Sequence, residues 1–393
     1  MQFRDLKRQY EHLKTQIDDG IAEVITSASF ISGSQVRALE EQLAAYVGVK
    51  HCITCANGTD AISIALEAWG IGPGDAVFVP DFTFFSTGEC PAAAGATTIF
   101  VDVRRDTYNM DPAALEAAIE EVLAEGKVRP KVVIVVDLFG LPADYERICD
   151  VCKKYGLLLL EDGAQGFGGS ITNHLGHERK ACSFGDISTT SFFPAKPLGC
   201  YGDGGAIFTD NDEWATLCRS IAVHGKDMEH PDDPMAKYNN LRIGRNSRLD
   251  TLQAAVLLAK LKAFRDEELA AVNRVAERYT ELLDGSGLML PEVAPGYYSS
   301  WAQYTVQLPY GVDREALQAR MKQAGIPTMV YYVKPMHLQG AFAGTRSAQA
   351  HCPVTEDLCG RVLCLPMHPY LTEEEVAEVV GGLKGCLGCV QVS

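Results

Sequence analysis

The segment Leu157-Leu-Leu-Leu160-Glu161-Asp162-Gly163-Ala164-Gln165 runs from four consecutive leucines into two adjacent carboxylates. Its apolar part reads as a buried strand, and the tip delivers Asp162 where ligands of open α/β sheets gather. A second β-prone run, Ile187-Ser-Thr-Thr-Ser-Phe-Phe193, leads through Ser191 into Pro194-Ala-Lys196-Pro-Leu-Gly199. Upstream, Ala76-Val-Phe-Val-Pro80, Thr97-Thr-Ile-Phe-Val101 and Lys131-Val-Val-Ile-Val-Val136 are further strand candidates, with a helical pattern over Pro112–Ala124 between two of them. Short apolar strands separated by helices predict a largely parallel sheet covered on both faces.

The two segments together place a carboxylate, a hydroxyl and an isolated lysine at neighbouring strand tips. A loop lysine is ordinarily a solvated charge, and an Asp closing a strand is ordinarily a cap or turn former. In this order, however, the three groups suit pyridoxal phosphate (PLP). Asp162 would keep the pyridine nitrogen protonated, Ser191 would hold the phosphate, and the Lys196 amine would condense with the aldehyde. Cys55-Ala-Asn57-Gly58-Thr59-Asp60-Ala61 supplies the matching anion cradle. It follows the short strand His51–Thr54 and opens a helical pattern, so its amides sit at a helix N-terminus, where phosphate is favoured. Neither GxGxxG with a following acidic residue nor GxxxxGK[ST] occurs here, which disfavours a nicotinamide site or a P-loop.

With those residues in place, the chain resembles the PLP-dependent sugar-nucleotide aminotransferases of the DegT/StrS type. The motifs carrying the resemblance span nearly its whole length. They include Phe3–Tyr10, Gly33–Glu40, Asn57–Ala61, Gly72-Pro-Gly-Asp75, Pro80–Phe84 and Glu161–Gln165. Ser191–Lys196, Gly202-Asp-Gly-Gly205, Gly244–Asp250, Tyr331-Tyr332 and Met336-His-Leu-Gln339 complete them. The resemblance implies the fold-type I, aspartate aminotransferase-like fold, with a large mainly parallel-sheet domain and a smaller C-terminal α/β domain. The hydrophobic pattern changes after Arg248, so the domains are read as 1–250 and 251–393. A long helix is expected over Asp250–Leu283, a strand over Ala302–Leu308 and a helix over Arg314–Gln323, with a last helix from Thr372. The resemblance also implies that the N-terminal helix packs with the small domain.

By the same resemblance, Lys196 and Asp162 are catalytic, and Lys196 carries the proton between the reacting carbon and the cofactor. Gln165 would bond the ring's phenolic oxygen, and Phe84 would stack on the ring. Gly58, Thr59, Ser191 and Asn246 would hold the phosphate. A homodimer with shared active sites is implied, Asn246 and Arg248 reaching in from the partner chain. Arg248, His337 and Tyr332 are the expected substrate contacts. No metal is expected. The fold alone also admits an amino-acid aminotransferase or a decarboxylase. Dehydratases of this fold carry histidine where this chain has Lys196, and the intact Lys196, Asp162 and Ser191 set argues against a catalytically silent regulatory homologue.

Composition narrows the setting. The chain has 393 residues, 47% hydrophobic and 22% charged, which is ordinary for a globular metabolic enzyme of two domains. The polar amino terminus and the lack of a long apolar stretch point to a cytoplasmic protein without signal peptide or membrane anchor. Thirteen scattered cysteines read as reduced thiols. Cys149 and Cys152 lie in a helical pattern (Asp144–Tyr155), and Cys386 and Cys389 match no second pair. A formal charge of −16 argues against a nucleic-acid partner, which requires a basic face. It also demands local cations at a nucleotide-sugar site, for which Arg242, Arg245, Arg248, Lys334 and His337 are candidates. Gly225–Tyr238 is the expected mobile loop.

The reaction expected is transfer of nitrogen from L-glutamate to a keto sugar nucleotide. Met1–Tyr10, Pro80–Phe85 and Ile243–Gln253 look most like members that aminate the 3-keto position of a UDP-linked N-acetylated hexuronate, for surface polysaccharide such as the O-antigen of lipopolysaccharide. A uronate adds a carboxylate that Arg248 could grip in bidentate fashion. The alternative is a 4-keto-6-deoxy sugar nucleotide.

Overall fold

The computed structural model describes residues 1–228, 230, 235 and 238–388. Half of the expected mobile loop (229, 231–234, 236 and 237) therefore lies outside the described residues, as does Cys389. In chain order the strands are β1 (His51–Cys55), β2 (Asp75–Pro80), β3 (Thr97–Val101), β4 (Arg129–Val136), β5 (Leu158–Asp162) and β6 (Ser170–Thr172). They continue with β7 (Glu178–Lys180), β8 (Ile187–Ser191), β9 (Gly205–Thr209), β10 (Tyr297–Tyr298), β11 (Tyr304–Gln307) and β12 (Val362–Leu365). The helices are α1 (Leu6–Ser27), α2 (Ser34–Val47), α3 (Gly58–Ala68), α4 (Phe85–Ala93), α5 (Pro112–Glu125) and α6 (Tyr145–Tyr155). After them come α7 (Asp212–Ala222), α8 (Thr251–Ala263), α9 (Leu269–Leu283), α10 (Arg314–Gln323), α11 (Pro353–Arg361) and α12 (Glu373–Leu387).

A seven-stranded sheet, ordered β1-β9-β8-β5-β4-β2-β3, forms the centre. It is the mainly parallel sheet expected; β9 alone is reversed, pairing antiparallel with both β8 and β1. Alternation along β4 shows how both faces are filled. Val132 and Ile134 enter a core with Ile62, Leu66 and Val79, whereas Val133 and Val135 enter one with Phe78, Leu115 and Ile148. All four are fully buried, as a period of two predicts for a strand covered on both sides.

Local signals fix where the helices begin. Asn57 caps α3 through the Asp60 N–H, Asp111 caps α5 ahead of Pro112, and Asp144 caps α6. Thr372 and Glu375 form a capping box at α12. The helical run expected over Asp250–Leu283 is present but is divided by a π-helical turn at Phe264–Glu268.

The C-terminal part has its own core. The antiparallel pair β11–β12 lies under α9, α10 and α12 around Tyr279, Tyr304, Leu317, Leu363 and Val379. The N-terminal segment touches both parts. Side chains of α1 pack with α8 around Leu13, Ile17 and Val256. The Arg8 guanidinium donates to both Glu375 carboxylate oxygens at 2.8 and 2.6 Å, and the Phe3 carbonyl accepts from the Met367 N–H at 3.1 Å. No helix among the described residues is long and apolar enough to cross a membrane.

Candidate active site

The tips of β5 and β8 and the N-termini of α3 and α4 open onto one cavity of about 670 Å³. Its lining includes Gly58, Thr59, Phe84, Asp162, Gln165, Ser191, Lys196 and Tyr332. Eight of the eleven residues expected at the site therefore share one space.

Alternation along β5 explains the carboxylate pair. Glu161 points into the protein, fully buried, and accepts bonds from the Phe184 N–H at 2.6 Å, the Ser188 hydroxyl at 2.8 Å and the Cys182 N–H. Asp162, the next residue, faces the cavity instead. Its Oδ2 accepts from the Thr87 hydroxyl at 3.0 Å and its Oδ1 from the Ala164 N–H at 3.2 Å. Burial pushes the Asp162 carboxyl upward, while the Lys196 ammonium and these two bonds pull it down.

Lys196 sits on the turn after β8. Its side chain is open to the cavity yet surrounded by protein, and burial holds its amine below the ordinary lysine range. Asp162 opposes that shift and Arg4 adds to it. The amine is thus biased toward its neutral, nucleophilic form.

The cradle is set by close backbone approach. A β-carbon on Gly58 would lie 2.7 Å from the Ser191 β-carbon and 3.3 Å from its hydroxyl. Only glycine lets the β8 tip come so near the start of α3. The Thr59 hydroxyl lies 2.7 Å from the Ser86 hydroxyl, so two helix N-termini and three hydroxyls converge. Gln165 is fixed by the Phe139 N–H, donating to its side-chain oxygen at 2.8 Å, and its amide donates to the Tyr332 hydroxyl at 3.3 Å. Burial, the larger influence, raises the Tyr332 phenol.

The remaining three expected residues lie elsewhere. Asn246 and Arg248 do not line the cavity of their own chain. Asn246 is exposed, and its side-chain oxygen accepts from Arg248 at 2.6 Å. His337 is 3% exposed and does not line the cavity. Its Nδ1 is 2.6 Å from Asp81 Oδ2, and its backbone N–H donates to Asp81 Oδ1 at 2.8 Å. The histidine expected at the substrate is committed to a buried aspartate, which raises its pKa. Asp81, His337 and Cys352 offer metal-ligand atoms within 4.8 Å of one another, but the first two are already bonded together.

Of the five expected cations, only Lys334 lines the cavity, beside the reacting Lys196. Arg245 pairs with Glu67 at 3.1 Å, and Arg242 bonds the Ser220 hydroxyl. Sequence reasoning missed Ser86, Thr87, Asp203 and Gln303. Thr83, just ahead of α4, and Thr87, in its first turn, meet through their hydroxyls at 3.0 Å.

Residues 11–384 match the model of the DegT/DnrJ/EryC1/StrS aminotransferase family. This chain belongs to that family. It is 44% identical, over 98% of this chain and 99% of the relative, to the UDP-2-acetamido-2-deoxy-3-oxo-D-glucuronate aminotransferase of Pseudomonas aeruginosa. To the UDP-N-acetyl-3-dehydro-alpha-D-glucosamine 3-aminotransferase of Acidithiobacillus ferrooxidans it is 42% identical, over 98% and 97%. A solved DegT/DnrJ/EryC1/StrS aminotransferase from Brucella abortus superposes with a TM-score of 0.92 at 45% identity, covering 99% of this chain and all of that one. The aminotransferase has the fold-type I architecture expected, and its cofactor is PLP. The residues present fit that group: a glycine cradle that a β-carbon would fill, a buried carboxylate on a strand tip, and an amine in the same cavity.

Proposed function

We propose that this aminotransferase moves the amino group of L-glutamate to the keto carbon of a nucleotide-linked sugar, a UDP-linked 2-acetamido-3-keto-hexuronate. The observation carrying the substrate is full-length likeness, at 44% and 42% identity, to two relatives named for UDP-linked 3-oxo sugars. When bound, PLP supplies the electron sink and temporary nitrogen carrier. The chain's residues do the rest. Gly58, Thr59 and Ser191 hold the phosphate, joined by Asn246 of the neighbouring copy in a homodimer. Asp162 pairs with the ring nitrogen, Gln165 bonds the phenolic oxygen and Phe84 covers the ring face. Lys196, neutral when released, carries the proton.

The substrate carries two phosphates and a carboxylate into a protein of charge −16. Lys334 in the cavity and Arg248 from the neighbouring copy are the cations proposed to meet it, with Tyr332 on a sugar hydroxyl. The domain division at 250 belongs to the same reading, although α8 packs on α1 and α2 while α9 packs on α12, which favours the π turn at 264–268 as the joint. A cytoplasmic role in amino-sugar supply for surface polysaccharide, such as the O-antigen of lipopolysaccharide, follows from the substrate.

A panel of UDP- and dTDP-keto sugars with glutamate as donor tests this, run with wild type and Arg248→Met. Preference for the 3-keto uronate, lost with Arg248→Met, is the expected result. Preference for a neutral 4-keto sugar, or uronate turnover untouched by Arg248→Met, overturns it.

A further inference from the structure

Two cations stand behind the turn that carries Lys196. Arg4 Nη2 donates to the Lys196 carbonyl at 2.6 Å and to the Pro197 carbonyl at 3.4 Å. Lys260, 1% exposed on α8, donates to the Gly199 carbonyl at 2.8 Å. The turn between them is closed on itself. The Lys196 N–H bonds the Phe193 carbonyl at 2.8 Å, and a β-carbon on Gly199 would lie 2.6 Å from the Pro194 carbonyl oxygen. Neither cation forms an ion pair among the described residues; both spend their donors on backbone carbonyls. Arg4 is in turn located by its neighbours, since Phe3 bonds Met367 and Arg8 bonds Glu375 and the Tyr370 carbonyl.

We propose that Arg4 is a positioning residue for Lys196: with Lys260 it brackets the lysine turn from behind and holds a fixed positive charge near the amine. Two consequences follow. The carbonyl bonds set where the amine can reach, and like charge nearby disfavours its protonation. Arg4 remains charged at neutral pH even though burial lowers it to about 10, whereas burial lowers Lys260 to about 8. Other groups facing the Lys196 region are Asp162 at the β5 tip, Asp203 after the turn, Tyr331, Tyr332 and Lys334 along the cavity wall, and Glu268 beyond Lys260. Asp162 favours the charged amine, so Arg4 acts against it.

The proposal rests on reading Lys196 as the reacting amine, but its test needs neither sugar nor turnover. Full-length protein stripped of cofactor is pulsed with acetic anhydride across a pH series, and acetylation of Lys196 is read by mass spectrometry. Relative to wild type, Arg4→Met should move the reactivity midpoint up by about one pH unit, a roughly tenfold loss of labelling at a fixed pH below it. Arg4→Gln keeps a donor for the carbonyl without the charge, and its midpoint should rise likewise. Arg4→Lys should restore the midpoint. Unchanged midpoints in both neutral variants overturn the proposal, as does a uniform rate change at every pH. Should Arg4→Met fail to fold, Arg4→Gln against Arg4→Lys makes the same comparison. Loss of PLP absorbance in Lys196→Ala separately checks the underlying assignment.

Discussion

A β-carbon on Gly58 would lie 2.7 Å from the Ser191 β-carbon, so the first residue of α3 and the last of β8 touch through the space a side chain would fill. The contact brings a hydroxyl and the free amides of a helix N-terminus to one point, the arrangement that binds phosphate. Gly58→Ala must push the two elements apart. It should weaken cofactor binding at least tenfold, about 1.4 kcal/mol, by equilibrium dialysis. Ser191→Ala removes only the hydroxyl and should cost less. A Gly58→Ala protein with wild-type affinity would show that the cradle is not the phosphate site.

Thr87 reaches Asp162 from α4, a relation built by tertiary packing of two distant segments. Its hydroxyl bond favours the charged carboxylate. Asp162→Asn removes the charge and should retain PLP while losing about 100-fold or more in turnover, the scale of removing one electrostatic partner of a transition state. Thr87→Val keeps shape and charge but deletes the bond, so its loss should be smaller. Half-reactions with glutamate alone, followed by absorbance, report both. Equal activity of Asp162→Asn and wild type would remove Asp162 from the chemistry.

Much of this was written locally. The continuous apolar runs gave β2 to β5, because a strand buried on both faces needs no alternation, and β3 begins and ends where its run does. Thr372 and Glu375 announced α12 by their spacing. β9 was not among the strand candidates; pairing with β8 and β1 is what makes Gly205, at the end of a glycine-rich motif, part of a strand. The π turn has no breaker to mark it. In the site, residues delivered by one strand tip or one helix start were legible. His337 was not placed, because residue type cannot say that Asp81, 256 positions away, is its partner. Arg4 was invisible for the same reason: its bond to Lys196 spans 192 positions.

Asn246 and Arg248 bond each other outside their own cavity, and the proposed homodimer gives a direct test. In an isologous dimer a residue contributed across the interface serves the other chain's lysine. Lys196→Ala and Arg248→Met proteins should each be nearly inactive alone. Refolded together from an equal mixture, half the dimers are mixed, and each mixed dimer has one intact site. Uronate amination should return to roughly a quarter of wild type. Absence of any recovery, with mixed dimers verified by native mass spectrometry, would place Arg248 in its own chain's site.

His368 is 2% exposed, its Nδ1 has no hydrogen-bond partner among the described residues, and burial lowers its pKa to about 4. The nearby Arg4 and Arg8 push the same way, against Asp5 and Glu375. An unfolded histidine titrates near 6.5. Between those values the unfolded chain binds a proton that the folded chain refuses, so stability falls as pH drops from about 6.5 toward 4. The full effect is on the order of 3 kcal/mol. His368→Gln cannot take up that proton, so its stability should fall less over the same window. Carboxylates such as Glu375 contribute an acid slope common to both proteins, which leaves the difference to His368. Urea unfolding at pH 7, 5.5 and 4.5 measures it, and parallel pH slopes for the two proteins would mean that His368 is protonated in the fold.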